Sequence, residues 1–298
     1  MLKEREIGTD RMEAPPHISE FRRVWHVFIT RKIVVFGLII VLALIITALF
    51  APFIAPEDPY KVNSQQSLLQ PTREHILGTD ILGRDTLSRI IYGSRISLMV
   101  GIFAVGIGAF IGITLGLIAG YLSGITFAVI MRFMDAVMSI PPVVLAMVIA
   151  VTLGGGLKNI IIALGISLMP LYARLTCGLV LSVKENDYVT ASRSMGSSNL
   201  RIMLGHILPN CFPPLIVVLT MQMGMIMLAE AGLSFLGVGI QPPAAAWGAM
   251  VSEGYKFLLS NPMLSFAPGL AVMLVVFAFN MLGDGLRDAL DPRLRGII

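Results

Sequence analysis

Residues Asp187 to Asn210 read DYVTASRSMGSSNLRIMLGHILPN. This polar, helix-forming stretch separates two strongly apolar segments. Asp187 is suited to cap a short helix beginning at Tyr188, because its carboxylate can accept from backbone N–H groups left free in the first turn. Gly196 fits the left-handed position that closes such a helix. Ser198 or Asn199 can cap a second one. There Leu200, Met203, Leu204, Ile207 and Leu208 fall at i, i+3, i+4, i+7 and i+8, an amphipathic stripe. Pro209 is expected to stop it. One face then rests on a membrane domain and leaves the first helix and the turn exposed. A plain structured loop is the alternative.

The flanks of this insert set the class of the protein. The chain is 56% hydrophobic and 13% charged, with mean hydropathy +0.83. A soluble domain carries about 25% charged residues, so the chain is read as an integral membrane protein. Six apolar runs are long enough to cross a bilayer: roughly Ile33–Ala55, Ile96–Leu122, Ile125–Leu153, Asn159–Val183, Phe212–Ile240 and Met263–Gly283. They predict an all-α bundle of about six transmembrane helices, since backbone facing lipid must satisfy its own hydrogen bonds. The short alternating strands of a β-barrel are absent from the sequence.

Lys and Arg predict the orientation. With the N-terminus inside, fifteen fall on the cytoplasmic side and seven outside, which favours both termini inside. The net charge of +4 is read as this loop bias and not as a nucleic-acid surface. The expected layout follows. Residues 1–32 form a cytoplasmic segment, 33–55 the first span and 56–95 an extracytoplasmic loop. Residues 96–288 form a core of five spans, with the cytoplasmic insert at 184–210, and 289–298 a cytoplasmic tail. In the first segment Phe21, Val24, Trp25 and Phe28 have helical spacing. They read as an amphipathic helix on the inner membrane surface or as an ordinary extension. Cys177 and Cys211 lack metal-ligand spacing and suggest no disulfide framework.

Several intramembrane features bear on mechanism. Gly108, Gly112, Gly116 and Gly120 recur every fourth residue and predict a close helix contact, within the chain or with a partner. Arg132 and Asp135, three apart on one helix face, read as a local ion pair. Glu230 is an intramembrane carboxylate, either a pathway group or a structural one bonded to a neighbouring helix or loop. Met221, Met223, Met225 and Met227 spread around a helix. Met221 and Met225 are candidates for a pathway, with core packing as the alternative.

The insert resembles the coupling motif of ABC importer permeases, E-A-A-x-x-x-G, then nine residues and I-x-L-P. Thr190, Ala191 and Ser192 fall on E-A-A, Gly196 on the glycine, His206 on the isoleucine, and Leu208 and Pro209 on L-P. Thr190, Ser192 and His206 depart from the pattern. The departure at Thr190 removes an acid. Further strings narrow the resemblance to the C-type permease subunit of the dipeptide/oligopeptide/nickel importer family. They are HILGTDILGRDTLSRIIYGSRISL (75–98), residues 135–141, EAGLSFLGVGIQPPAAAWGAM (230–250) and NMLGDGLRDALDPRLR (280–295).

The resemblance implies a type I ABC importer permease fold in the cell inner membrane, with cytoplasmic coupling helices. It implies a heterodimer with a homologous permease, two cytoplasmic ABC ATPases and an extracytoplasmic substrate-binding protein, all working within membrane lipid. Asp187, Tyr188, Thr190, Ala191, Ser192, Arg193, Gly196, Arg201, His206, Leu208 and Pro209 would form the ATPase-coupling element. ATP and Mg would be held by the partner ATPases, and no cofactor is expected on this chain. The chain has no G-x-x-x-x-G-K-[ST] of its own, no H-E-x-x-H and no G-x-S-x-G, so it is not expected to be an enzyme. A secondary transporter would show inverted repeats and midplane ion ligands, and neither is evident. Di- and oligopeptides are the expected cargo, with nickel, a nickel chelate or glutathione-like peptides as the alternative.

Overall fold

A computed structural model describes residues 30–290. The helices run in chain order: α1 (Lys32–Ile54), α2 (Thr86–Leu122), α3 (Gly124–Met138), α4 (Pro142–Thr152), α5 (Gly156–Val183), α6 (Asp187–Ser194), α7 (Asn199–Ile202), α8 (Leu208–Phe235), α9 (Trp247–Tyr255) and α10 (Met263–Leu290). Among the described residues the only β feature is an isolated bridge, Thr79 to Asp85. Five helices are long and apolar enough to span, and α3 with α4 makes a sixth span bent by 85°. Pro141 and Pro142 cause that break. Proline has no backbone N–H to donate into the helix, and it disfavours helical backbone in the residue before it. The expected amphipathic helix around Phe21–Phe28 lies outside the described residues.

Hydropathy located the spans but not all of their ends. α2 begins ten residues before Ile96, inside the segment read as an outer loop. Asp85 starts it by accepting from the Ser88 N–H at 2.7 Å, which outweighs the charges of Arg89 and Arg95. The second change is at Pro209, which does not end the second helix of the insert. The chain passes from α7 through a wide turn over Met203–Ile207 into α8. Leu208 N–H bonds the carbonyl of Met203, five residues back, a π turn. Pro209 is then tolerated in the first turn of α8, where a backbone donor would have no partner within the helix and its absence costs nothing.

The glycine stripe finds its partner within the chain. A Cβ on Gly108 would stand 2.8 Å from the Gly165 carbonyl, and on Gly120 2.8 Å from Val180 Cβ. Gly112 abuts the Met169 carbonyl and Gly116 that of Ala173. α2 and α5 therefore lie backbone to backbone along most of their length. The core around this seam buries Val100, Ala104, Leu164, Leu168 and Tyr172 together with Ile226 and Leu233 of α8. α1 joins from outside: Val34 packs on Gly285 and Gly37 on Met281, both of α10. Arg31 pairs with Asp288 at that end.

The end of the molecule far from the insert is closed by polar contacts. Arg84 Nε meets Asp80 at 2.6 Å, Arg89 Nε lies 3.4 Å from Asp80, and Arg84 reaches Glu253 of α9 at 3.5 Å. His75 Nδ1 lies 3.0 Å from Asp85. The Trp247 indole N–H donates to the Ile90 carbonyl at 2.9 Å. Apart from Glu253, which is partly exposed, these groups are buried. Burial of charge is tolerable only when it is paired and hydrogen-bonded in this way.

Candidate coupling element

The insert folds as a knob seated on the ends of three long helices. α6 starts at Asp187 itself, with Asn186 as its cap residue and no side-chain capping bond. Asp187 is thus in the first turn rather than at the cap, where its charge still favours the helix dipole. Gly196 has φ +79°. Its N–H bonds the Arg193 carbonyl at 3.0 Å, and the Ser197 N–H bonds that of Ser192 at 3.2 Å. These two bonds close α6 by a Schellman motif, which needs a left-handed residue at this position. Ser198 caps α7 by accepting from the Arg201 N–H at 3.5 Å.

Few residues anchor the knob. Val189, Ile202 and Ile207 are fully buried and pack with Leu117 and Tyr121 of α2, Val180 of α5, and Cys211 and Leu215 of α8. Ser192 is also buried. The expected stripe is therefore partly wrong. Ile202 is buried, whereas Leu200 and Leu204 are 62% and 51% exposed. α7 is a single turn, and the π turn after it rotates the following residues, so one uniform helical period does not hold across the segment. Polar contacts complete the seat. The Tyr121 hydroxyl donates to Asn199 Oδ1 at 2.8 Å. Arg193 lies over the Tyr121 ring at 5.8 Å. The Lys184 ammonium donates to the Gly120 carbonyl at 3.1 Å and to Ser123 Oγ at 2.8 Å.

The outward face carries Asp187, Tyr188, Thr190, Ala191, Arg193, Met195, Gly196 and Arg201. Met195 is 79% exposed. Beside it Leu200, Leu204, Arg201 and Gly205 line an open hollow. Apolar side chains grouped within a charged rim are the chemistry of a protein-docking face. His206, Leu208 and Pro209 lie at the root of the knob. Thr190, the position lacking the acid, is exposed and its side chain makes no hydrogen bond or ion pair among the described residues.

The other candidate residues are elsewhere. Glu230 is 21 residues from Pro209 along α8, about 30 Å away by helical rise. It is fully buried, and Ser234 Oγ donates to its Oε1 at 2.7 Å. Ser234 Oγ in turn accepts from the Ile240 N–H at 2.9 Å, so the carboxylate steadies the loop after α8. Met221 packs against Gly283 of α10, and Met227 against Gly101 of α2. Met225 is half exposed. Asp135 does not pair with Arg132. Its partner is Arg174 of α5, at 3.5 Å, because α3 faces α5 across a groove. The sequence reading places Asp80, Arg84 and Arg89 in a loop and does not foresee that these buried residues cluster with the partly exposed Glu253 of α9. The one signal of that cluster was the density of charged residues in the string from His75 to Arg95.

Comparison with known proteins places this architecture. Residues 112–296 match the model of the "Binding-protein-dependent transport system inner membrane component" family. Residues 19–71 match the "N-terminal TM domain of oligopeptide transport permease C". The chain is 41% identical to a dipeptide transport system permease protein, DppC, of Alkalihalophilus pseudofirmus, over 93% of this chain and 91% of that protein. It is 41% identical to a glutathione transport system permease protein, GsiD, of Pectobacterium atrosepticum, over 93% and 92%. A chain of the inward-facing MetNI methionine ABC transporter shares the fold, with TM-score 0.56 and 19% identity over 68% of this chain and 96% of that chain. With its all-α spans, bent third crossing and seated knob, this chain belongs to the binding-protein-dependent transport system inner membrane components, the permeases of ABC importers.

Proposed function

We propose that this chain forms half of the translocation pathway of an ATP-driven importer of di- and oligopeptides, glutathione-like peptides included. The observation that carries the substrate class is the similarity, along more than nine-tenths of the chain, to permeases named for dipeptide and glutathione transport. In this reading a homologous permease supplies the other half. A substrate-binding protein delivers peptide from outside, and two ATPases with ATP and Mg sit on the cytoplasmic side. The distribution of Lys and Arg supports both termini and the knob on that side.

The exposed face of α6, Gly196 and α7 docks into an ATPase. The shape of the knob supports this role. Its few buried anchors bind it to α2, α5 and α8, so a displacement of the knob moves those helices together. ATP hydrolysis belongs to the partners, and this chain transmits its work. The test is purification of the tagged chain from its native membrane in mild detergent, with partner identification, ATPase assay and peptide uptake after reconstitution. Co-purification of a second permease and ATPases with ATP-dependent dipeptide uptake is expected. A stable homo-oligomer that transports without an ATPase would overturn the reading.

A further inference from the structure

We propose that the groove between α3 and α5 is a water-filled wall of the translocation pathway, and that Arg132 engages carboxylates of the passing peptide there. The inference rests on the peptide reading above for its cargo, but not for the groove itself. Phe127, Met131, Arg132, Asp135, Arg174 and Leu181 are among the residues lining a space of about 440 Å³. Arg132 lies eight residues into α3, and Arg174 nine residues from the end of α5. By helical rise both are about 12–14 Å from the knob end of their helices. A hydrocarbon layer is about 30 Å thick, so these charges lie at membrane depth. Charged side chains at such depth face a protein interior or water, not lipid tails.

The charges of the groove do not cancel. Arg174 is paired with Asp135 at 3.5 Å, and both side chains are more than half exposed. Arg132 has no ion pair or hydrogen bond among the described residues. One guanidinium is therefore left over, beside apolar walls from Phe127, Met131 and Leu181. Every free peptide carries a carboxylate, and the planar guanidinium fork matches it. The site is open rather than enclosing, which suits a cargo that must leave again.

Two measurements test this. In the first, the complex of this chain with its partner subunits is reconstituted in liposomes, and uptake of Ala-Glu-Ala and Ala-Lys-Ala is compared. Arg132→Gln should lower the Glu-to-Lys uptake ratio about tenfold, the scale of one charge-assisted hydrogen bond, and Arg132→Lys, which keeps the charge but not the fork, should restore it only in part. The binding protein is the same throughout, so its own preference cancels. An unchanged ratio overturns the proposal. A change seen only with anionic lipid present assigns Arg132 to a headgroup and overturns it too. In the second, Arg132→Cys in a Cys177→Ala, Cys211→Ala background is treated with a charged, membrane-impermeant thiol reagent from the knob side. Rapid modification is expected, while Phe133→Cys on the adjacent face should react slowly. No modification at position 132 means the groove is sealed by lipid or by the second permease, and sinks the pathway assignment. A wild-type complex that takes up neither peptide fails the substrate reading and the carboxylate role with it, and the labelling result then decides the groove alone.

Discussion

At Gly196 no atom lies within 4 Å of where a Cβ would stand, so substitution is opposed by backbone conformation and not by crowding. An alanine there should cost about 1–2 kcal/mol of local stability, the usual penalty for a left-handed non-glycine residue. An aspartate tolerates that conformation better but places a charge on the exposed docking turn. Gly196→Asp is expected to insert at normal abundance and to lose uptake, and normal uptake in membranes with wild-type levels of the subunit would refute the coupling role. Glu230 predicts a different pattern. Glu230→Gln keeps a carbonyl for the Ser234 hydroxyl and should lie within about 1 kcal/mol of wild type. Glu230→Ala leaves a cavity and strands that hydroxyl, for a loss of about 2–4 kcal/mol. Thermal unfolding in detergent reads both, and equal melting of the two variants would remove the structural role. At the end far from the knob, Arg84→Ala leaves Asp80 short of its closest partner. Breaking a buried pair from one side costs about 3–5 kcal/mol, so a melting temperature unchanged from wild type would show that the cluster is not holding α9.

Among the elements, the α2–α5 seam is the most sensitive to volume. Gly112→Leu would drive a side chain into the Met169 backbone and force the helices apart, at about 1–3 kcal/mol or more for overpacking. Gly106, six residues earlier on the same helix with nothing within 4 Å, is the matched control. Gly106→Leu should be silent, and comparable loss of folded protein in both variants would contradict the assigned contact face. This seam also shows what a sequence discloses. A four-residue repeat of glycine announces close approach, because nothing else in a lipid-facing helix needs so little side chain. It does not say which helix approaches, since α5 answers it with Gly165, Ala173 and ordinary apolar residues. The knob was readable for a similar reason: Gly196 has one structural use there. Its anchoring was not. Whether Leu200 or Ile202 turns inward depends on a π turn at 203–207, and no local propensity sets that turn. It relieves Pro209 of an N–H it cannot supply. The same holds for Asp135, whose partner depends on where α5 passes. The charged cluster far from the knob was hidden because Arg84 and Arg89 look like solvated loop charges until Glu253 arrives from 160 or more residues away.

For the molecule as a whole, the excess of Lys and Arg on one side predicts that tags at either end are cut by protease only in inverted membrane vesicles. Cleavage in right-side-out vesicles would reverse the orientation and put the knob on the wrong side for an ATPase. The α2–α5 seam has a further consequence, in the order of synthesis. Gly108 and its contact Gly165 are separated by the whole bent span of α3 and α4. A ribosome adding about 5–20 residues per second takes roughly 3–11 s to make that interval. For those seconds α2 stands in the bilayer with a bare glycine groove and no ridge to fill it. Biogenesis of this subunit therefore includes an interval in which a foreign helix, or a second nascent copy, competes for the place that α5 will take.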